Sequence, residues 1–169
     1  MADKALSNNS ASILTDVMKG KLSGSLNYEP IASTDKWVYT ERKINNASEP
    51  LLPTSQPYME QRTSTGAITT VAAGDLYRWL CIKNTGTTNG TTASTEGIVL
   101  SLDTDAAAFD EVEGIYIGPG EMWISKFPKA TTQADIFAIT VAVTNDSPSG
   151  AAGTDGVLCI IAAVLKDIT

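Results

Sequence analysis

The sequence predicts an all-β protein, a β-sandwich or jelly roll of about seven strands with an extended N-terminal arm that carries one short helix. Short apolar segments recur after residue 67, and stretches rich in Thr, Gly and Asn separate them. The two halves also differ in composition. Four of the seven prolines precede residue 66, whereas eleven of the thirteen glycines and nearly all strong apolar segments lie from residue 66 onward. We therefore expect an arm at 1–66 and a β domain at 67–169.

The arm begins with a segment that has helix-like boundaries, at about 10–19. Ser10 or Ser12 can cap its N-terminus, and Gly20 can end it. So short a helix is marginal alone and must dock on another surface, either its own domain or a neighbouring subunit. The residues that would share its apolar face are Ile13, Leu14, Val17 and Met18.

The rest of the arm is predicted to be extended. The segment at about 36–44 has strand-like composition with charge on both faces, which suits an edge strand because charge discourages further pairing. The tract at 50–57 contains Pro50, Pro53 and Pro57, and proline-rich chains extend and can reach a neighbouring subunit.

The β domain is predicted to consist of short strands at 68–73, 76–83, 98–103, 115–117, 122–127, 136–144 and 157–165. The 76–83 segment is apolar on both faces, and alternation puts Tyr77, Trp79 and Cys81 on the same one. In the 98–103 segment, Leu102 is expected to point inward with Ile98 and Leu100. The stretches at 84–96 and 145–156 are expected to be exposed loops, because small polar residues dominate them.

Two segments indicate how these strands are arranged. Pro119 followed by Gly120 is typical of a type II turn, which fits a tight hairpin badly, so we expect the chain to cross there from one sheet to the other. The last strand, 157–165, is apolar throughout. It is therefore either central in its sheet or packed against a second copy of the protein.

Composition excludes several functions. The chain has no histidine, so it has no Ser-His-Asp triad, Cys-His pair or imidazole metal ligand. With a net charge of −7 and scattered basic residues, it lacks the surface of a nucleic-acid-binding protein. Residues 1–10 have no apolar core, which predicts synthesis without an export signal, and no apolar run is long enough to span a membrane. We expect no enzyme activity, no cofactor and no metal.

The remaining chemical candidates are weak. Asp103 and Asp105 have the spacing of the first two ligands of a calcium-binding loop. Such a loop then needs a third ligand, a glycine and a final glutamate, but these positions are occupied by Ala107, Ala108 and Gly114. A solvated acidic connection is the preferred interpretation. Cys81 and Cys159 each lie in an apolar stretch, where two buried thiols are preferred over a disulfide.

Aromatic residues offer the best candidates for an interaction surface. Trp79 is expected in the core, because its strand is apolar on both faces. Trp37 and Trp123 are assigned to the core or a subunit interface, with a sugar-stacking platform as the alternative. Together with Tyr39 and the helix residues Ile13, Leu14, Val17 and Met18, they form the predicted set of interface residues.

The run from 76 to 142 resembles the small β-sandwich auxiliary proteins of tailed bacteriophage particles. A strand leads into an Asn84-Thr85-Gly86 loop, Ser101-Leu102-Asp103 follows, and a Pro119-Gly120-Glu121 turn leads into a strand. The resemblance covers about 40% of the chain. It implies the features of capsid-decorating, or cement, proteins, in which trimers sit over symmetry axes of the shell and arms reach neighbouring subunits.

On this basis we expect a non-enzymatic virion structural protein, a capsid decoration protein made in the host cytoplasm and located on the capsid surface. Its partners would be the major capsid protein and itself, as a homotrimer, with no nucleic acid or membrane. The alternatives are another virion component (tail, baseplate or head fibre) and a carbohydrate-binding β-sandwich module.

Overall fold

A computed structural model describes residues 5–14, 19–28, 35–60, 69–102, 114–127, 136–144 and 147–166. All regular structure in these ranges is β, which confirms the all-β prediction. The strands are β1 (Ala5–Leu14), β2 (Lys19–Tyr28), β3 (Lys36–Ile44), β4 (Glu49–Pro50), β5 (Pro57–Glu60), β6 (Thr69–Thr70), β7 (Leu76–Asn84), β8 (Gly97–Ser101), β9 (Ile115–Ile117), β10 (Met122–Lys126), β11 (Phe137–Thr144), β12 (Ser147–Ala152) and β13 (Val157–Lys166).

Two antiparallel sheets form the body of the described chain. One has six strands in the order β10-β7-β13-β3-β5-β6. The other has five strands. Four of them lie side by side in the order β12-β11-β8-β9, and β4 also pairs with β11. The chain passes repeatedly from one sheet to the other, so most neighbouring strands are not consecutive in sequence.

Both sheets contribute side chains to one buried apolar cluster, the common core. The six-stranded sheet provides Val38, Leu80, Ile82 and Ile161 among others, and the five-stranded sheet provides Ile98, Leu100, Ile117 and Ala138. Burial of apolar surface is the main stabilising term in folding, and each large aliphatic side chain contributes about 1.5–3 kcal/mol. The common core therefore holds the two sheets together.

Buried polar side chains link the two sheets at one end of the body. Asn84, at the end of β7, donates from Nδ2 to the carbonyl oxygens of Glu96 (3.1 Å) and Ile117 (3.4 Å), and its Oδ1 accepts from Gly86 N–H. Arg42 of β3 donates to the carbonyl oxygens of Pro50 and Leu51 and pairs with Glu49 at 2.7 Å. These contacts join β7 and β3 to chain segments of the five-stranded sheet.

The last strand occupies the position that its sequence predicts. β13 is an interior strand, paired with β7 on one side and with β3 on the other along nearly its full length. Its inward residues, Val157, Cys159, Ile161, Ala163 and Leu165, are buried in the common core. The prediction of a central strand is therefore confirmed.

The turn at Gly118–Glu121 is also confirmed. Gly120 has a φ of 78°, and Glu121 N–H donates to the Gly118 carbonyl oxygen at 3.0 Å, as a type II turn requires. The turn connects β9 in the five-stranded sheet to β10 in the six-stranded sheet. This is the crossing between sheets that the Pro-Gly pair predicts.

The short helix predicted at about 10–19 is not found in the described part of that segment. Residues 10–14 belong to β1 and Lys19 begins β2, and these two strands pair with each other as a hairpin. Residues 15–18 lie outside the described residues. Ser10, Ser12 and Ile13 have low helix propensity, and the pairing of β1 with β2 satisfies the backbone of this segment instead.

The rest of the predicted arm contributes to both sheets. The strand expected at 36–44 is present as β3, but the prediction that it is an edge strand is wrong, because β3 lies between β13 and β5 and pairs with β5 at Lys36 and Trp37. The proline-rich tract does not extend away from the body, because Leu51 and Leu52 are buried in the common core. Gln56 N–H donates to the Pro53 carbonyl oxygen and closes a turn within the tract.

Strand β7 departs from simple alternation. Trp79 pairs with Val164 and Tyr77 pairs with Leu165, so Arg78 is an extra residue on β7 and forms a bulge. The bulge turns Tyr77 into the common core with Leu80 and Ile82, while Trp79 and Cys81 remain on the opposite face. The prediction that Tyr77 shares a face with Trp79 is therefore wrong.

Two further expectations need correction. Leu102 is 39% exposed because β8 ends at Ser101, before the alternation reaches it. The stretch at 145–156, expected to be a loop, contains β12, which pairs with β11. β12 lies at the end of its sheet, where backbone pairing on one side does not require an apolar sequence and Pro148 is tolerated.

Replacement of Gly120 tests the turn. A Cβ at this position would meet no atom within 4 Å, so the positive φ alone should set the cost. Gly120→Ala should reduce the free energy of unfolding by about 1 kcal/mol, measured by urea denaturation. Gly120→Asn should cost less, because asparagine tolerates this conformation better. Equal stability of Gly120→Ala and the wild type would contradict the assigned turn.

Candidate interaction surface

The six-stranded sheet carries a second apolar cluster on the face opposite the common core. Trp79 and Val164 are buried there, and Trp37, Cys81, Ile124 and Ala162 pack against them. Tyr39, on the same face of β3, is 74% exposed, and Met122 of β10 is 51% exposed. We call this set the outer-face patch: Trp37, Tyr39, Trp79, Cys81, Met122, Ile124, Ala162 and Val164.

Strand register brings the outer-face patch together. Val164 of β13 pairs with Trp79 on one side and Trp37 on the other, and Ala162 pairs with Cys81 and Tyr39 in the same way. Ile124 extends the patch to β10 by pairing with Cys81. Four neighbouring strands therefore supply one continuous apolar area.

The two tryptophans of the patch have unusual surroundings. The indole N–H groups of Trp37 and Trp79 are buried, and neither finds an acceptor among the described residues. Buried indole N–H groups usually find a partner, so each of these groups carries a desolvation cost. The apolar rings pack well, but their polar atoms are not satisfied within the described part of one chain.

The predicted interface residues separate into three groups. Trp37 and Tyr39 lie together on the outer-face patch. Trp123 lies on the other face of β10, packs against the common core and contacts the Phe127 ring edge-on, with centroids 6.2 Å apart. The structure therefore does not bring it together with Trp37. Ile13 and Leu14 belong to β1, and Val17 and Met18 lie outside the described residues.

The expectation that Trp79 is a core residue is confirmed, since it is 6% exposed and belongs to the buried cluster on this face. Sequence reasoning missed five other members of the patch, namely Cys81, Met122, Ile124, Ala162 and Val164. The sequence signal for these residues is that β13 is apolar on both faces, which indicates that both faces are covered. Without the strand order, the sequence does not reveal that Ala162 and Val164 lie beside Trp37 and Tyr39.

The buried carboxylate of Glu96 accepts several hydrogen bonds. It accepts from the backbone N–H groups of Thr154, Asp155 (2.9 Å) and Gly156 (3.2 Å) and from the Thr154 hydroxyl (3.1 Å). Burial acts to raise the pKa of Glu96, but these hydrogen bonds outweigh it and lower the pKa below its usual value. Glu96 thus fixes the connection between β12 and β13 and is poorly suited to donate a proton near neutral pH.

A buried ion pair closes the opposite end of the six-stranded sheet. Lys36 Nζ lies 2.9 Å and 2.8 Å from the two carboxylate oxygens of Asp75, and both side chains are almost fully buried. Asp75 also accepts from Ala72 N–H at 2.8 Å. Charges removed from water in this way must be paired, and this pair joins β3 to the turn before β7.

The two cysteines are free thiols on opposite faces of the six-stranded sheet. Burial raises the pKa of Cys159 to about 12, although the positive charge of Arg42 acts to lower it. Burial also raises the pKa of Cys81. Since the thiolate is the nucleophilic form, neither thiol is activated.

The acidic connection at Asp103 and Asp105 lies outside the described residues. Within the described ranges, no group of three or more Asp, Glu, Cys or His side chains could hold a metal ion. The same ranges contain no helix long and apolar enough to cross a membrane.

Glu96→Gln tests the role of the buried carboxylate. Folding lowers the pKa of Glu96, so its charged carboxylate stabilises the fold at pH values above the pKa of the unfolded chain, near 4.5. This stabilisation is lost as the pH falls through the lower pKa of the folded state. The variant should lose about 1–2 kcal/mol of unfolding free energy at pH 7, and the difference from wild type should shrink by pH 3. Urea denaturation at both pH values measures this.

Asp155→Asn is the matched control, because the Asp155 side chain is exposed and the contact of this residue with Glu96 is made by its backbone N–H. It should change stability by less than about 0.5 kcal/mol at either pH. A Glu96→Gln deficit of the same size at pH 7 and pH 3 would contradict the assigned role of the charged carboxylate.

Comparison of the chain with protein-family models, with curated proteins and with solved structures gives no match. The resemblance to bacteriophage auxiliary proteins therefore depends on the sequence features quoted above.

Proposed function

We propose that the protein is a non-enzymatic structural component of a bacteriophage particle, a capsid decoration protein that binds the head shell and stabilises it through contacts between subunits. The observation that carries this proposal is the outer-face patch. Its exposed members, Tyr39 and Met122, continue an apolar area in which Trp79 and Val164 are already buried. An exposed apolar area rimmed by charge is typical of a protein–protein contact.

We further propose that the two sheets pack face to face as a β-sandwich. Both sheets place side chains in the common core, and each carries a further apolar cluster on its other face. On the five-stranded sheet that cluster contains Val99 and Ile139, with Tyr116 and Phe137 packed against them. A rigid two-layer body with apolar outer faces suits a protein that works by contact.

The buried polar groups support a structural role. Glu96, Asp75 and Asn84 each hold parts of the fold together through several hydrogen bonds. The thiols of Cys81 and Cys159 are kept protonated by burial. These groups stabilise the fold, and none is poised as a nucleophile or a general acid, so no catalysis is proposed for them.

The proposed partners follow from the resemblance and from charge. They are the major capsid protein and further copies of the chain, as a homotrimer, on the outside of the capsid. The net charge of −7 would limit non-specific association with nucleic acid, and neither nucleic acid nor membrane is proposed as a partner. The Pro119-Gly120-Glu121 motif that contributes to the resemblance adopts the expected turn before β10.

Quantitative mass spectrometry of gradient-purified phage particles tests this proposal. A decoration protein should be present in copy numbers comparable to those of the major shell protein, because it covers repeated sites on the shell. A handful of copies per particle would overturn decoration in favour of a tail, baseplate or head-fibre component. Absence from the particles would overturn any virion role, and a glycan array would then test the carbohydrate-binding alternative.

A further inference from the structure

The buried pair of Lys36 and Asp75 lies at one end of the common core. Alternation along β3 puts Lys36 on the same face as Val38, which belongs to that core. In the register of the six-stranded sheet, Lys36 lies opposite Leu165, and Leu165 lies opposite Tyr77 on its other side. The side chains of Leu165 and Tyr77 are fully buried. The two charges are therefore held in apolar surroundings.

The geometry of the pair brings the amine to the carboxyl carbon. Lys36 Nζ lies 2.9 Å from Oδ1 and 2.8 Å from Oδ2 of Asp75, so it also lies next to Cγ, to which both oxygens are bonded. The turn at 72–75 fixes the carboxylate. Asp75 N–H donates to the Ala72 carbonyl oxygen at 3.0 Å, and Ala72 N–H donates to Asp75 Oδ2 at 2.8 Å.

We propose that Lys36 and Asp75 condense into an isopeptide bond, which links β3 covalently to the turn before β7. A proton first passes from Nζ to Oδ1, which leaves a neutral amine and a neutral carboxyl group. The nitrogen lone pair then attacks Cγ, the Nζ–Cγ bond forms and the Cγ–Oδ1 bond breaks.

The atoms and charges of this reaction balance within the pair. The ammonium group of Lys36 brings three protons and the carboxylate of Asp75 brings none. One proton stays on the new amide nitrogen, and the other two leave with Oδ1 as water. The opposite charges cancel, so the reaction needs no oxidant, reductant or further reactant.

Burial and position both favour the condensation. Two charges removed from water carry a desolvation cost that their attraction offsets only in part, and the amide carries no charge. Groups held in contact react as if each were present at an effective concentration of up to about 10⁵–10⁸ M. Ala72 N–H also stabilises the negative charge that develops on Oδ2 during the attack, and Oδ2 becomes the amide oxygen.

The bond closes the loop between residues 36 and 75. A covalent link over so long a stretch stabilises a fold by restricting the unfolded chain, as disulfides do. The two cysteines provide no such link, since both are free thiols. This inference goes beyond the proposed function and does not depend on it, because the bond and the copy number in particles are measured separately and either can fail alone.

The intact mass of the purified full-length chain, measured under denaturing conditions, tests the proposal. We expect a mass that is lower by one water than the mass of the sequence, after any loss of Met1. Trypsin should fail to cleave after Lys36, and one branched peptide should join residues 22–42 to residues 63–78. A chain with the full mass of its sequence would overturn the inference.

Two lysine variants locate the bond. Lys36→Arg keeps a positive charge opposite Asp75 but removes the primary amine, so this variant should have the full mass of its sequence and no branched peptide. Lys43→Arg changes an exposed lysine on the same strand and should still lose one water.

The branched peptide also distinguishes the bond from another loss of water. Asp155 precedes Gly156 and can lose water by cyclising with the backbone, but the resulting peptide is linear. A loss of water that persists in Lys36→Arg, or that is found only in a linear peptide, would contradict the proposed bond.

Discussion

The structure depends on the position of β13 between β7 and β3. This strand uses its backbone hydrogen bonds on both sides, buries Ile161 and Leu165 in the common core, and supplies Ala162 and Val164 to the outer-face patch. The six-stranded sheet could not form around a strand with one polar face, because that face would then lie among tryptophans. The apolar character of β13 on both faces is thus the constraint that determines the strand order and both clusters.

Polar groups complete the structure by joining segments that apolar packing alone would leave free. Asn84 and Arg42 link the two sheets at one end, and the Lys36–Asp75 pair closes the six-stranded sheet at the other. Glu96 holds the connection that leads into β13. In each case a buried polar atom is satisfied by several partners, so its loss would leave other buried groups unpaired. By contrast, the buried indole N–H groups of Trp37 and Trp79 and the hydroxyl of Tyr77 in the common core have no hydrogen-bond partner among the described residues.

Part of this organisation could be predicted from the sequence. The apolar run of β13 indicated a strand covered on both faces, and Pro119-Gly120 indicated a crossing between sheets, because each signal is local to a few residues. The bulge at Arg78 was not predictable, since it depends on how β7 pairs with Leu165 and Val164. Neither β12 nor the β1–β2 hairpin has the apolar alternation typical of a strand, and their pairing comes from the backbone. The outer-face patch combines Trp37 and Tyr39, which the sequence predicts as interface residues, with Trp79 and Ala162. That these last two residues lie beside Trp37 and Tyr39 follows only from the strand order.

Amide hydrogen exchange along β13 tests the central claim most directly. If β13 is the interior strand, the amides of Ile161 to Ala163 should exchange among the slowest in the chain and only through global unfolding, because they are hydrogen-bonded within a sheet and lie beneath both apolar clusters. The amides of β12, at the end of the other sheet, should exchange faster. Exchange of the β13 amides at the rate of β12 would contradict the account.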